Sequence, residues 1–552
     1  MSIVQRRFVP ALLTIAVALL SCGKEPSSVA PRAAVQDTTP QEGGTLIRRL
    51  DSDIRTLNPI LAESKYDRYV SFYLFTPMLY LDVDLRPVPG LADKWEISAD
   101  GKEYTFHLNP AATFSDRTPV RASDVLFTLR KIADPQTEAA QISGGFEQLD
   151  LKRTRVVDDH TIVVAFREAL APQLIRFNDL LVVPEHVYGK GDLRNDYNST
   201  AVGSGPYRLV SRENGKQIVV ERRDDFWRKK PYIDRVVFKV IVDDTTAWNA
   251  LKRGDIDETM MGSDVWLREH TNPILLKKID FRRFYTLNYN FIAWNGRSPI
   301  FSDKRVRRAM AMCMDLQSII ANLFHGTARA VSGPFTPDQW AYNPEVPVVP
   351  FDPPGARQLL ESAGWHDTNG DGVLDRDGKP LRFDLMIYSG TTSGIPFAQL
   401  LQSELKKIGV QLDIAVVDWA SLSHRVLSGQ YQASFMGWDL DADPDPFSLF
   451  HSSQFPPHGQ NLVYYASPEA DRLVEEGRRE LDFNKRVDIY HRLHAVLGED
   501  QPYAWTTQVS VKWGVSKRLH NVQESRGFGL FTWYPGEFGW WIPRDERVHD
   551  VK

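Results

Sequence analysis

Alternating strand and helix patterns between residues 381 and 438 constrain the fold of this chain more than any other feature. Strand patterns cover residues 381–388, 410–416 and 432–438, and helix patterns cover residues 396–409 and about 421–428. Pro396 is placed to begin the first helix, and Gly409 is placed to end it. Such alternation predicts an α/β domain with a largely parallel sheet, and ligands bind such sheets beyond the carboxyl ends of their strands.

That rule directs attention to residues 437–454, which follow the third strand pattern. Gly437 leaves room for the close approach of another backbone, and Trp438 offers a flat apolar surface. Asp441 adds a negative charge three residues after the tryptophan. Composition alone favours a solvated acidic turn, because aspartates stand close together at positions 439, 441, 443 and 445.

The N-terminus has the parts of a secretory signal peptide. Arg6 and Arg7 precede an apolar run over residues 11–20, which is too short to span a membrane, since a spanning helix needs roughly 20 apolar residues. The run ends in Leu-Leu-Ser-Cys, which resembles the bacterial lipobox. The resemblance implies a signal peptide over residues 1–21 and a lipid on Cys22, and the alternative is an ordinary signal with an accidental cysteine.

Composition bounds the rest of the chain. Residues 22–42 are rich in Pro, Ser, Thr and Ala, so we expect a disordered linker tethered by the lipid. The 552 residues are too many for one compact core, and we expect two or three domains. A formal net charge of -5 offers no basic surface for nucleic acid. If Cys22 is lipidated, Cys313 has no disulfide partner, and its place on an apolar helix face predicts a buried thiol.

Longer segments resemble one bacterial family. Residues 79–108 and 114–131 resemble the hallmark region of the extracytoplasmic solute-binding proteins of family 5, the peptide and nickel binding group of ABC importers. Further similar segments follow in the family's order, at residues 43–59, 203–227, 251–257 and 301–315. The resemblance therefore covers nearly the whole chain after the predicted linker.

The resemblance implies a fold of the periplasmic-binding-protein type, an α/β architecture with two lobes, a hinge and an inserted subdomain. The implied first lobe is discontinuous and combines residues 43–75, 200–305 and 506–552. Residues 76–199 form the implied insertion, and residues 306–505 form the implied second lobe. The implied function is the lipid-anchored, extracytoplasmic binding component of an ABC importer, which captures peptides by closing its cleft. The implied partners are a peptide ligand, a membrane permease with its ATPase and the membrane, and the protein itself is expected to be a monomer.

The resemblance also implies site residues. In peptide-binding relatives, the aspartate three residues after a Gly-Trp pair receives the α-amino group of the ligand, and Asp441 matches that position. Other residues match places that border the cleft in relatives, namely Gly437, Trp438, Trp505, Asp53 and Arg55. Phe435 stands where the family often has an arginine, which leaves the ligand's length open and suits an oligosaccharide as well. Nickel and haem also remain open as ligands.

Several motifs of common enzymes are absent from the sequence. His-Glu-x-x-His, Gly-x-Ser-x-Gly and Gly-x-x-x-x-Gly-Lys do not occur. We therefore expect a binding protein that is not an enzyme and needs no cofactor. An anchored extracytoplasmic hydrolase and a chaperone or sensor are the alternatives from other classes.

Residues 367–375 follow the plan of a calcium-binding loop. Its candidate ligands stand at the first, third, fifth, seventh and ninth positions, namely Asp367, Asn369, Asp371, Val373 and Asp375. Gly378 stands at the twelfth position, where a bidentate glutamate is expected. A structural calcium site and a tight surface turn explain this loop equally well.

Overall fold

The computed structural model describes residues 39–524, 533 and 535–549. The predicted signal peptide, the lipidation site at Cys22 and the predicted linker up to residue 38 lie outside the described residues. The chain divides after Thr39, and the folded unit begins at Pro40. In the described residues its strands form sheets of seven, five and four strands and three sheets of two strands.

The strands have the following bounds in chain order: β1 (Thr45–Leu50), β2 (Leu79–Leu81), β3 (Pro87–Pro89), β4 (Ala92–Ile97), β5 (Glu103–Leu108), β6 (Arg155–Asp158), β7 (Thr161–Ala165), β8 (Tyr207–Glu213), β9 (Gln217–Arg222), β10 (Arg235–Val240), β11 (Glu258–Met260), β12 (Ile279–Phe284), β13 (Asn288–Trp294), β14 (Ala328–Ala330), β15 (Asp375–Arg376), β16 (Lys379–Pro380), β17 (Arg382–Tyr388), β18 (Gln411–Val417), β19 (Ala433–Asp439), β20 (Tyr503–Trp505), β21 (Thr507–Val509) and β22 (Val511–Ser516).

The α-helices have the following bounds in chain order: α1 (Lys65–Leu74), α2 (Ala122–Ala133), α3 (Ala140–Ser143), α4 (Gln173–Arg176), α5 (Glu185–Tyr188), α6 (Asp244–Arg253), α7 (Ser263–Glu269), α8 (Lys304–Met312), α9 (Leu316–Asn322), α10 (Pro353–Ser362), α11 (Gly394–Lys407), α12 (Trp419–Leu427), α13 (Phe447–Phe450), α14 (Pro468–Arg479) and α15 (Phe483–Asp500).

The seven-stranded sheet joins distant parts of the chain in the order β12-β22-β11-β1-β10-β9-β8. Strand β1 lies inside the sheet and pairs in parallel with β10 and β11. The other neighbouring strands pair antiparallel. The sheet thus draws on each of the three chain segments assigned to the first lobe, whose bounds stay a prediction.

The four-stranded sheet is local in sequence and antiparallel throughout, in the order β4-β5-β7-β6. Helix α2 contacts β6 and β7. Val125, Leu129 and Ile132 share the buried side of that helix. This sheet and its helix lie within residues 76–199, where we predicted the inserted subdomain.

The five-stranded sheet contains the alternation seen in the sequence, in the order β18-β17-β19-β13-β20. The elements β17, α11, β18, α12 and β19 confirm the predicted strands and helices, and β17 pairs in parallel with both β18 and β19. The prediction of a largely parallel sheet is confirmed in strand direction, because β18, β17, β19 and β20 run the same way, and β13 runs antiparallel to its neighbours β19 and β20. Strand β13 belongs to this sheet although it lies before residue 306, where the second lobe was predicted to start.

The core of the five-stranded sheet includes the free thiol. Cys313 is fully buried among apolar residues of α8, α10 and α11, as its place on the helix face predicts. Burial raises the pKa of this thiol to about 12, with Glu404 and Asp352 adding to the shift. The thiol therefore stays protonated at neutral pH and serves as packing.

A buried charged cluster ties β1 to the C-terminal segment. The guanidinium of Arg48 on β1 contacts the carboxylates of Glu258 and Glu537 and donates to Tyr73 Oη at 2.6 Å. Two carboxylates thus share one cation away from water. Burial raises the pKa of Glu537 to about 7, although Arg48 opposes this shift.

The variant Glu537→Gln tests this cluster. A raised pKa means that Glu537 stabilises the fold below its ordinary pKa of 4.5 and loses that contribution as the pH rises to about 7. Glutamine mimics the protonated acid, so the melting temperature of the variant relative to wild type should rise across this pH range. The exposed Asp545→Asn serves as a control. A difference between Glu537→Gln and wild type that is constant with pH would contradict the assignment.

Candidate ligand-binding site

The carboxyl ends of three parallel strands meet at one edge of the five-stranded sheet. Tyr388 pairs with Val417 at the ends of β17 and β18, and β19 continues three residues past this level to Asp439, because Leu385 pairs with Ala433. The chain turns away from the sheet at each of these positions. Ligands of α/β proteins bind at such an edge, so the residues that follow these strands form the candidate site.

Two exposed aromatic rings stand at this edge, and the sequence analysis missed both. Tyr388 ends β17 and is 39% exposed, and Trp419 begins α12 and is 60% exposed. Their ring centroids lie 5.7 Å apart, with planes inclined by 72°. Asp418 accepts a hydrogen bond from the backbone of Ser421 and so fixes the start of α12. Large exposed apolar surface of this kind is a mark of binding sites.

Gly437 and Trp438 support the loop from inside the sheet. A Cβ on Gly437 would lie 2.8 Å from Asn290 Oδ1 and 3.3 Å from the Tyr289 carbonyl oxygen, so a larger residue would displace the Asn290 side chain and press on the backbone of β13. Trp438 donates from Nε1 to Tyr503 Oη at 3.3 Å, and its ring stacks on Phe291 with a centroid distance of 6.1 Å. The tryptophan is half-buried, and it is held by the core rather than free in solvent.

Asp441 is exposed and already has a cationic partner. Its side chain is 58% exposed, and its Oδ2 lies 2.9 Å from Nη1 of Arg176, the last residue of α4. Burial lowers the pKa of Arg176, but the carboxylates of Asp441, Asp179 and Asp445 outweigh it and raise the pKa. Arg176 belongs to the predicted insertion, and the sequence analysis did not identify it.

The other aspartates of the loop differ in their surroundings. Asp443 is buried and accepts two hydrogen bonds of 2.6 Å from Arg486, so it is structural. The carboxylate of Asp445 lies 3.0 Å from Nε of Arg478. Asp439 is exposed, yet surrounding protein desolvates its carboxyl and raises the pKa, with Lys65 opposing the shift. Asp439 and Asp441 are therefore the carboxylates of this loop that a ligand could reach.

A further row of contacts lies beside the Arg176–Asp441 pair. The backbone N–H of Ala171 donates to the carbonyl of Arg478 at 2.8 Å. A Cβ on Gly101 would lie 2.7 Å from Leu481, so these chain segments touch closely. A cavity of about 520 Å³ opens between them, with walls that include Arg176, Gln173, Asp445, His451 and Arg478.

Trp505 ends a strand at the same edge, whereas Asp53 and Arg55 have their partners in other parts of the chain. Trp505 is only 4% exposed and packs between Tyr503 and Phe450, which does not support the prediction that it lines the site. Asp53 accepts a hydrogen bond from the backbone of Gly215 at 2.7 Å, and Arg55 pairs with Glu63 at 2.8 Å. The partners that the structure gives Asp53 and Arg55 lie within the N-terminal half of the chain.

The candidate calcium loop uses its carboxylates to close turns. Asp367 accepts hydrogen bonds from the backbones of Gly370 and Gly372, at 2.8 and 3.0 Å. Asp375 accepts from the hydroxyl and the backbone of Thr368, and these bonds lower the pKa of its carboxyl. The described residues contain no group of three or more His, Cys, Asp or Glu that could hold a metal ion. Asn369 bonds to Asp371 within the loop, and Val373 donates to Asp371. The geometry favours the tight turn.

Comparison with known proteins gives consistent results. The model of the bacterial extracellular solute-binding proteins, family 5 Middle, matches residues 86–461. The oligopeptide-binding protein AppA of Bacillus subtilis is 28% identical over 510 residues, which cover 90% of this chain and 91% of that protein. The heme-binding protein A of Haemophilus influenzae is 28% identical over 439 residues, which cover 75% and 78% respectively.

The fold matches solved structures as well. The structure of AppA from Bacillus subtilis in complex with a nonapeptide superposes with a TM-score of 0.76 at 26% identity, covering 92% of this chain and 100% of that one. The predicted α/β architecture of the two-lobed binding proteins is therefore confirmed. Among the residues that the structure describes, each helix is too short or too polar to cross a bilayer.

The turn geometry of residues 367–375 predicts how the protein responds to calcium. The carboxylates of Asp367 and Asp375 are already satisfied within the loop, so adding calcium or a chelator should leave the melting temperature unchanged. Thr368→Val removes the hydrogen bonds that the Thr368 hydroxyl donates to Asp375 and should cost about 1 kcal/mol in the free energy of unfolding. A melting temperature that rises with calcium would contradict the structural turn.

Proposed function

Because the chain belongs to the bacterial extracellular solute-binding proteins of family 5, we propose that it captures short peptides in a cleft and delivers them to an ABC permease. The observation that carries this proposal is the exposed carboxylate of Asp441 at the edge where three parallel strands end. The aromatic pair Tyr388 and Trp419 stands at the same edge. The relative AppA, named as an oligopeptide-binding protein, supports a peptide as ligand.

The chemistry of the site fits an amino terminus followed by a chain. An ammonium group on Asp441 forms a charge-assisted hydrogen bond, which is stronger than a neutral one. Neighbouring strands lie about 4.8 Å apart, and β19 runs three residues, or roughly 10 Å, past the ends of β17 and β18, so those ends are roughly 11 and 14 Å from the end of β19. A peptide rises by roughly 3.4 Å per residue, which brings its fourth and fifth residues past the aromatic pair.

The transport cycle that we propose follows from two lobes and a tether. A ligand that binds the closed form more tightly than the open form would drive closure of the cleft. The proposed lobe I comprises residues 43–75, 200–305 and 506–552, lobe II comprises residues 306–505, and the insertion comprises residues 76–199. A lipid on Cys22 would hold the protein, as a monomer, at a membrane outside the cytoplasm. The permease with its ATPase would then supply the energy of transport.

An anchored hydrolase is the second candidate function, because a serine, a histidine and a glutamate line the cavity near Asp445 and contact one another in that order. His451 Nδ1 accepts from Ser453 Oγ at 2.7 Å, and His451 Nε2 lies 3.2 Å from Glu475. The same Nδ1 also accepts from the backbone N–H of Ser453 at 3.1 Å, so the ring caps the turn at residues 452–454. This structural role explains the histidine, and mass spectrometry of a peptide pool after incubation separates the two functions.

Ligands of other chemistry stay open within the transport class. The relative named heme-binding protein A makes haem one of them, because an exposed aromatic pair also suits a flat ring system. An oligosaccharide or a nickel complex would use the same edge of the sheet. Mass spectrometry of small molecules that co-purify with the protein identifies the class directly.

Asp441→Asn tests the proposed amino-group contact. The neutral amide removes the attraction for an ammonium group, so affinity for trialanine should fall by about tenfold or more, or ~1.4 kcal/mol. Affinity for N-acetyl-trialanine should hardly change, because that peptide carries no ammonium group. Calorimetric titration measures both values, and Asp488→Asn, at an exposed carboxylate on α15, is the control. Equal affinity of wild type and Asp441→Asn for trialanine would remove Asp441 from this role.

Trp419→Ala tests the aromatic edge. The ring is exposed and rests on Tyr388, so its loss removes ligand contact without opening a core cavity. We expect affinity for the peptide Ala-Ala-Ala-Phe-Ala to fall by about fivefold, or ~1 kcal/mol, at an unchanged melting temperature. Ile274→Ala, an equally exposed apolar site elsewhere, should leave affinity unchanged. Undiminished binding by Trp419→Ala would place the ligand elsewhere.

A further inference from the structure

We infer that Arg176 is a resident counter-ion of Asp441, which a ligand's amino group must displace and which thereby lowers the preference of the site for charged amino termini. The inference rests on the proposed function and goes beyond it. The observation behind it is the 2.9 Å contact between Arg176 Nη1 and Asp441 Oδ2. The carboxylate that would receive an ammonium group is thus occupied by a guanidinium of the chain itself.

The contact joins parts of the chain that are far apart. Arg176 ends α4 within the predicted insertion, and Asp441 lies 265 positions later, beyond β19. The contacts Ala171–Arg478 and Gly101–Leu481 run beside the pair and hold the same two segments together. The Arg176 side chain is 26% exposed, so its guanidinium contacts solvent and can leave Asp441 without crossing the core.

Two other carboxylates lie near Arg176 and can pair with its guanidinium when an amino group displaces it from Asp441. Asp179 lies three residues further along the chain and pairs with Arg68, and Asp445 lines the same cavity as Arg176. Both carboxylates act on the guanidinium electrostatically. Exchange of cations on Asp441 therefore leaves no buried charge without a partner, which keeps its cost low.

The exchange affects charged ligands and leaves neutral ligands unaffected. A neutral ligand, such as a peptide with a blocked amino terminus, offers Asp441 nothing that replaces the guanidinium. An ammonium group replaces one charge-assisted bond by another. A partly exposed ion pair contributes about 0.2–1 kcal/mol, so competition by Arg176 should lower the affinity for amines by up to about fivefold.

A mutant cycle in the ligand-free protein tests whether the pair exists. Melting temperatures are measured for wild type, Arg176→Gln, Asp441→Asn and the double variant. We expect the effects of the two single variants to be non-additive. Arg194→Gln, which breaks the exposed pair with Glu138 in the same segment, should combine additively with Asp441→Asn. Additive effects of Arg176→Gln and Asp441→Asn would overturn the inference.

Calorimetric titration then tests the exchange. Arg176→Gln should raise the affinity for trialanine about two- to fivefold, leave N-acetyl-trialanine unchanged, and have no effect when Asp441→Asn is also present. Reduced affinity, or an equal change for both peptides, would overturn the exchange. Wild-type protein that binds neither peptide would contradict the proposed function and with it the exchange, while the mutant cycle still reports on the ion pair.

Discussion

The register between β13 and β19 determines where the candidate site lies. Asn288 pairs with Asp439, and Leu440 donates its N–H to the carbonyl of Leu287, so the loop leaves the sheet at a fixed position. The absence of a Cβ at Gly437 allows this close pairing. A slip of one residue would turn every side chain of β19 to the opposite face. The exposure of Asp441 therefore depends on a strand located about 150 residues earlier in the chain.

Cations from three helices make the acidic loop stable. Aspartates so close together repel one another, and each needs a partner or water. Arg486 of α15 neutralises Asp443, and Arg478 of α14 neutralises Asp445. Arg176 of α4 does the same for Asp441, which is the more exposed partner of that pair. The loop thus combines carboxylates used for structure with one that stays available for exchange.

Local patterns in the sequence predicted the local part of this structure. The elements from β17 to β19 were predictable because their apolar spacing repeats within a few residues. Strands β13 and β20 were not, since they join the sheet from distant segments with pairing that no spacing encodes. Likewise, the spacing of the aspartates does not reveal that Asp443 forms a buried ion pair with Arg486, which lies 43 positions later in the chain. The exposed Trp419 could have been found, because it stands three residues after the end of a predicted strand.

A crystal structure of the protein grown with trialanine tests the central claim most directly. The account predicts the intact peptide at the carboxyl edge of β17, β18 and β19, with its amino nitrogen within hydrogen-bond distance of Asp441. The guanidinium of Arg176 should then have moved away from Asp441 toward Asp445 or Asp179. A peptide bound elsewhere, a cleaved peptide, or an Arg176–Asp441 contact that persists beside the bound ligand would contradict the account.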